Sequence, residues 1–314
     1  MDVSIIIVNY KTVALTTACI NSIFSHTRGV EFEIIVVDNA SADGSVEQFL
    51  RDPRVKVIPS PENVGFGRAN NLGAKSATGK YLFFLNSDTI LLNNAVKLFF
   101  DFMELNADLK IGMIGGFLKN GNHVATLSGG CFPSVSSELN YLIKSIYRKC
   151  INRKWVPSEI RCVKQDVDWI SGADLFTSRQ LFEELSGFDP RFFMYYEETD
   201  LQKRAAKAGY KRMLISGPEI IHLEGGSDGE QKKFSFFMLM HSSRSLLLYM
   251  KKHYHGVAYF WFRLVMLILR LNIFFKPSFS RKEKITFFKF FWQGIGPLEQ
   301  VNCVSYDFYQ KLRE

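Results

Sequence analysis

The sequence predicts an α/β fold, a mainly parallel sheet with helices on both faces, carrying a helical, basic and aromatic C-terminal extension. Three observations lead there. Up to residue 117, β-rich runs alternate with segments of helical periodicity, an order that produces parallel strands joined by covering helices. Polar groups follow the strand-like runs directly: Asn9-Tyr10, Asp38-Asn39 and Asn86-Ser87-Asp88. Charge then changes abruptly. Residues 1–228 carry 25 Lys/Arg against 26 Asp/Glu, whereas residues 229–314 carry 14 against 5. The chain is therefore read as a catalytic-type domain over residues 1–228 and a tail over residues 229–314.

Residues 3–8 form the first expected strand, too short and too poor in flanking basic charge for a secretory leader. Residues 12–24 follow with helical spacing. Residues 33–37 and 55–58 read as strands on either side of a short helix, 45–50, opened by Asp43-Gly44. A helix over 67–77, a strand over 81–85, a helix over 93–105 and a strand over 111–117 complete the alternation. Residues 118–166 are irregular, and residues 168–176 return to core character. The run 192–196 (Phe192-Phe193-Met194-Tyr195-Tyr196) reads as a strand or its edge, ahead of an amphipathic helix over 198–208. With 314 residues, 47% of them apolar, the chain can bury a large core. Five scattered cysteines form no C-x-x-C pair, which argues against a disulfide framework or a zinc site and for a reducing compartment.

In the tail, the apolar run 254–275 is interrupted by Arg263 and Arg270. A spanning helix needs roughly 20 mostly apolar residues, so a plain span is disfavoured. An interfacial helix is expected instead, with Phe260, Trp261, Phe262 and Phe274 entering the membrane surface and the arginines snorkelling. The other reading is a helix packed on the protein. No recognised nucleic-acid module surrounds the basic residues, so nucleic acid is not an expected partner.

In parallel sheets ligands bind beyond the C-terminal strand ends, so Asn9-Tyr10, Asp38-Asn39 and Asn86-Ser87-Asp88 should converge on one rim. Two acidic clusters stand out there. Asn86-Ser87-Asp88 ends the apolar run 81–85, and Glu197-Glu198-Thr199-Asp200 ends the run 192–196. Carboxylates against apolar side chains usually have a metal, a cation or a proton to hold. Asn86-Ser87-Asp88 resembles a D-x-D metal motif with Asn in first place; the simpler reading is an Asx-type helix cap. Asp38, just past a strand, suits a base or ribose contact, and the simpler reading is a polar loop with a cap. The Gly-rich stretch around Arg68, residues 63–73, can offer amides and a guanidinium to phosphate, or be merely a tight loop.

Taken together and in this order, these segments resemble the inverting glycosyltransferases of family 2, which have the GT-A fold, and most of all their rhamnosyltransferase-like bacterial branch. The matching strings are residues 4–10, the Asp38 loop, residues 63–73, Asn86-Ser87-Asp88-Thr89 and residues 192–204; the likeness covers residues 3–225. The resemblance implies a nucleotide-sugar donor, held by Asn9, Tyr10, Asp38, Asn39, Arg68, Asn86 and Ser87. It implies a divalent metal, Mg²⁺ or Mn²⁺, on Asp88, and Glu198 as general base. His222 matches a histidine that some relatives use near the metal; a satisfied structural histidine is the equal alternative. Glu197 and Asp200 would meet the acceptor or orient the following helix, with Arg204 one turn on as a partner for Asp200. Asn86 stands where Asp is commoner and Glu198 where many relatives have Asp.

The expected activity is transfer of a sugar, with inversion, to a hydroxyl of a glycan acceptor, lipid-linked, at the cytoplasmic face of the membrane, in cell-surface polysaccharide synthesis. Two other classes remain in view. A non-catalytic scaffold of the same fold would fit loss of Asp88 or Glu198, and both are present. A nucleotidyltransferase would carry a Gly-rich basic loop after the first strand, and Asn9-Tyr10-Lys11-Thr12 is not one.

Overall fold

The structure, a computed structural model, describes residues 1–137, 164–223, 236–254, 256–276 and 278–294. These fall into two compact units. One holds described residues within 1–131, 157–190 and 197–231; the other holds those within 132–156, 191–196 and 232–314.

The first unit is built on an eight-stranded sheet. Its elements in chain order are β1 (Val3–Asn9), α1 (Val13–His26), β2 (Phe32–Asp38), α2 (Ser45–Leu50), β3 (Val55–Pro59), α3 (Phe66–Lys75), β4 (Tyr81–Asn86), β5 (Thr89–Leu91), α4 (Ala95–Leu105) and β6 (Ile111–Gly116). There follow β7 (Gly129–Gly130), β8 (Lys164–Asp166), β9 (Trp169–Ile170), β10 (Asp174–Ser178), α5 (Arg179–Glu184), α6 (Glu197–Lys207), β11 (Lys211–Ile215) and β12 (Ile220–His222). The sheet order is β3-β2-β1-β4-β10-β6-β11-β8.

Strands β1 to β4 pair in parallel, as do β6 and β11, while β10 runs antiparallel between β4 and β6. The winding reverses between β1 and β4, the kind of switch point where α/β sheets leave a crevice. Strand residues alternate between two cores, as the period of two requires. Ile5 and Ile7 pack with Ile20 and Ile23 of α1 and with Val96 and Phe99 of α4. Ile6 and Val8 pack on the other face with Ala69 of α3, Phe182 of α5 and Leu201 and Ala205 of α6. Both faces are thus covered, as the alternation predicts.

One strand reading of the sequence is corrected. The run 192–196 is not a strand: Tyr195 and Tyr196 both have positive φ, 68° and 65°, which no strand accommodates. Five consecutive large apolar residues imitate a buried strand, but here they precede a helix start. The core stretch 168–176 is divided between β9 and the reversed β10, a direction that local pattern does not encode.

The second unit contains α7 (Phe236–His253), α8 (Val257–Leu269), a 3-10 turn (Leu271–Phe275) and α9 (Arg281–Gln293). A capping box starts α9: Ser280 Oγ accepts from the Glu283 amide, and Glu283 Oε2 accepts from the Ser280 amide. Phe262 and Met266 of α8 and Phe287 and Phe291 of α9 are buried. Phe262 is therefore a packing residue rather than a membrane-facing one. Arg263 does not snorkel either: it donates to the carbonyls of Phe291 and Trp292, which end α9. By length and composition alone, the nineteen residues Val257–Phe275 suffice to cross a membrane. Phe260, Trp261, Ile268, Phe274 and Phe275 along them are exposed.

Candidate active site

Register places the strand ends on one rim. Asn9 lies opposite Asp38, Val8 opposite Asn86, Leu85 opposite Asp174 and Gly116 opposite Ile215. Because β10 is reversed, its first residue, Asp174, meets the last residues of its neighbours.

At one corner, Asn9 and Asp38 are buried together. Asn9 Nδ2 donates to Asp38 Oδ2 at 2.7 Å and to Ser41 Oγ at 3.0 Å, and its Oδ1 accepts from Thr16 and Thr12. Asp38 Oδ1 accepts from the Ser41 amide. The Asn39 side chain bridges to the Gly-rich stretch, donating to Asn63 Oδ1 and accepting from the Val64 amide. These three side chains fix the 39–41 and 63–65 loops side by side, and Tyr10 stands exposed next to them. Arg68 follows the 63–65 loop on α3. Its Nε donates to the Pro190 carbonyl at 2.6 Å. It lines a cavity of about 550 Å³ with Val64 of that loop, Asn71, Arg179 and Phe182, and no other residue expected at the site lines that cavity.

The second corner joins distant segments. Strand β5 pairs antiparallel with β12, setting His222 opposite Thr89. His222 Nε2 is consequently 3.2 Å from Asp88 Oδ1 and 3.3 Å from Asn86 Nδ2. One imidazole nitrogen cannot donate to the carboxylate and accept from the amide at once. Asn86 Oδ1 is buried with no hydrogen-bond partner. A carboxylate, an imidazole and a spare amide oxygen suit a hard divalent cation whose remaining ligands come from a diphosphate. Among the described residues no cluster of three or more His, Cys, Asp or Glu side chains could hold a metal alone. Ser87 faces Thr12, their hydroxyls 3.2 Å apart.

The third corner is the start of α6. Glu197 is buried, and its Oε2 has no partner. Burial, with Glu198 beside it, pushes its pKa well up. Glu198 is half-buried, and burial raises its pKa too, opposed by its own amide and by Thr199, whose hydroxyl donates to Oε1 at 3.1 Å. A raised carboxylate suits a base working near neutral pH. Asp200 is fully buried and pairs with Arg204 at 2.9 Å, one helical turn on; Arg204 also donates to the carbonyls of Leu185 and Gly187. That network moors α6 and leaves Asp200 no opening toward a ligand.

Two participants gave no signal in the motif reading. Gln202 clamps β9, accepting from the Ile170 amide at 2.7 Å and donating to its carbonyl at 2.8 Å. Asp174 is wholly buried, its Oδ2 accepting from the Gly116 amide at 2.6 Å. A carboxylate inside Gly172-Ala173-Asp174-Leu175-Phe176, an apolar core run, was the available clue. The turn before Asp174 connects two corners: the Ala173 carbonyl accepts from the Asn86 amide at 3.0 Å, and Gly172 lies against the Glu198 side chain.

The profile of Glycosyl transferase family 2 matches residues 4–163. The chain belongs to that family. It is 24% identical over 217 residues to the N-acetylglucosaminyl-diphospho-decaprenol L-rhamnosyltransferase of Mycobacterium tuberculosis, covering 62% of this chain and 68% of that one. Among solved structures it resembles residues 1–349 of S. aureus TarS, with a TM-score of 0.52 at 16% identity over 91% of this chain and 78% of that one. It also resembles GalNAc-T7, solved with UDP, GalNAc and Mn²⁺, with a TM-score of 0.58 at 15% identity over 94% and 56% of the two chains. The fold is thus of the GT-A type. This family 2 glycosyltransferase spans 44% of the longer TarS chain and about half of GalNAc-T7.

Proposed function

We propose that the enzyme transfers a sugar from a nucleotide-sugar donor to a hydroxyl of a lipid-linked glycan, with inversion, and that Glu198 is its general base. The acceptor oxygen attacks the anomeric carbon from the face opposite the leaving group. Its proton passes to Glu198, the new C–O bond forms, and the bond to the diphosphate breaks. The observation that carries this reading is Glu198 itself: a half-buried carboxylate with a raised pKa, at the rim where ligands of such sheets bind. The Tyr10 ring, with the loops braced by Asn9, Asp38 and Asn39, forms the nucleotide corner. Asp88 and His222, with Asn86 Oδ1, would hold a cation of the Mg²⁺ or Mn²⁺ class. When bound, that cation neutralises charge on the leaving diphosphate.

The lipid-linked acceptor is supported by the name of the mycobacterial relative and by the tail. Exposed Phe260, Trp261, Phe274 and Phe275 form an aromatic surface on the second unit, and the tail's basic excess favours an anionic leaflet. We place the enzyme peripherally, at the cytoplasmic face, where nucleotide sugars are made.

The test is Glu198→Gln, which keeps the shape and removes the basicity. Transfer should fall by at least about a hundredfold, the scale of general-base loss, with donor binding retained. Near-parental turnover would move the role to another residue.

A further inference from the structure

Asp174 belongs to neither the nucleotide corner nor the cation corner, and it is too deeply buried to touch a ligand. Yet its surroundings are built around its carboxyl group. Oδ2 takes the Gly116 amide at the end of β6. Oδ1 is sealed from solvent with no partner. The two residues facing it, Gly115 and Gly116, have no side chains to crowd it. A Cβ on Gly116 would lie 3.2 Å from Oδ2; one on Gly115 would lie 3.3 Å from Oδ1 and 2.4 Å from Ile170 Cγ2. The space beside Gly115 and Gly116 is thus taken by the Asp174 carboxyl group and the Ile170 side chain, where a larger residue on β6 would crowd them.

The residues just before Asp174 run between the two halves of the chemistry. Ala173 holds the Asn86 amide through its carbonyl, and Gly172 lies beside Glu198, where an added Cβ would be 3.5 Å from Glu198 Cγ. The Ser171 amide is tied to the Ser128 carbonyl at 2.8 Å, and Gln202 holds Ile170. The turn is thus anchored at both ends, and Asp174 is its anchor on the sheet side.

We infer that Asp174 is a positioning residue for transfer: through the Gly116 amide it fixes the 171–173 turn, which sets Glu198 relative to the Asn86–Asp88 corner. It acts as a hydrogen-bond acceptor of fixed shape. An unpartnered buried charge at Oδ1 has nothing to stabilise it, so the role needs no ionised oxygen. Asparagine should therefore replace it and alanine should not. The inference rests on Glu198 being the base, and displacements of about an ångström at such a distance from the chemistry cost up to roughly a hundredfold in rate.

The experiment measures kcat and the donor KM for transfer in the full chain carrying Asp174→Asn or Asp174→Ala, each assayed well below its own melting temperature, beside Glu198→Gln. Asp174→Asn should keep kcat within about threefold of the parent. Asp174→Ala should lose about tenfold or more in kcat with little change in donor KM, because the nucleotide corner is untouched. Parental kcat in folded Asp174→Ala, with only a lower melting temperature, would show a purely structural role and overturn the inference. A tenfold loss in Asp174→Asn would overturn it as well, and this arm stands even where the alanine variant does not fold. Full activity of Glu198→Gln would instead sink the assignment of the base, and so separates the two failures.

Discussion

Glu197 should make the protein less stable as pH rises, and Glu197→Gln should remove that dependence. The side chain is 4% exposed, and one of its oxygens is buried without a partner. Burial and the neighbouring Glu198 both raise its pKa. The folded protein thus keeps a proton that the unfolded chain releases above about pH 4.3, the usual Glu value. Stability contributed by the neutral form is complete below that pH and is withdrawn as pH climbs toward the folded pKa. Inside the window, one proton of difference changes the unfolding free energy by about 1.4 kcal/mol per pH unit. Glutamine is neutral at every pH, so the variant should lose up to that much slope. Urea unfolding of parent and variant, in chelator and at several pH values between about 5 and about 7, measures it. Asp174 has a raised pKa from burial and contributes a slope of the same sign in both proteins, so it cancels in the comparison. Turnover near neutral pH should stay close to the parent's, because glutamine reproduces the neutral form that burial favours at Glu197 and leaves Glu198 in place. Identical slopes in the two proteins would mean that Glu197 is ionised when buried and would refute the reasoning.

Three other outcomes follow from the site and the tail. His222→Ala and Asp88→Ala should each abolish the stimulation of donor binding by Mg²⁺ or Mn²⁺, read by calorimetry, whereas Asn86→Ala should only weaken it; full transfer activity in excess chelator would refute metal dependence. Asp200→Asn should cost about 3 kcal/mol in urea unfolding, since it strips the Arg204 guanidinium of its buried partner, and a loss under about 1 kcal/mol would show that the carbonyls of Leu185 and Gly187 suffice. The full chain should float with vesicles containing anionic lipid and be partly released by salt, each basic residue near the leaflet contributing about 1 kcal/mol. Replacing Phe260 and Trp261 by Ser should weaken the salt-resistant part, and unchanged flotation would mean that this aromatic face is not the contact.

Much of this was legible in the sequence because the signals were local and redundant. The parallel strands up to residue 117 announced themselves by β-rich apolar runs, whereas β11 did not, and the polar residues from Asn9 to Asp88 lay where strand ends had to be. The helix from Glu197 was readable from its spacing, and so was the pairing of Asp200 with Arg204. What escaped depended on partners far along the chain. The reversal of β10 is settled by its place between β4 and β6, and nothing in residues 168–176 carries that information. That the Pro190 carbonyl, brought in by the turn after α5, takes the Nε donor of Arg68 could not be read from its local context. Arg263 looks like a snorkelling residue until the end of α9 provides carbonyls for it. Asp174 lacked a motif because its partner is the Gly116 amide of a neighbouring strand, distant in sequence.

The β5–β12 pairing has a consequence for how the enzyme is made. Asp88 and His222 are separated by more than a third of the chain, and a three-residue strand pair brings them together. During synthesis the nucleotide corner, whose residues all precede residue 66, can be assembled while the cation corner still lacks its imidazole. Chain closures over such separations come late, because their entropy must be overcome before any contact rewards them. On the proposed roles, a nascent chain still short of residue 220 would carry the donor's cradle without the imidazole of the cation corner. If Asp88 and His222 hold the cation as proposed, competence to release the diphosphate would arrive in one late step, after most of the sheet has formed.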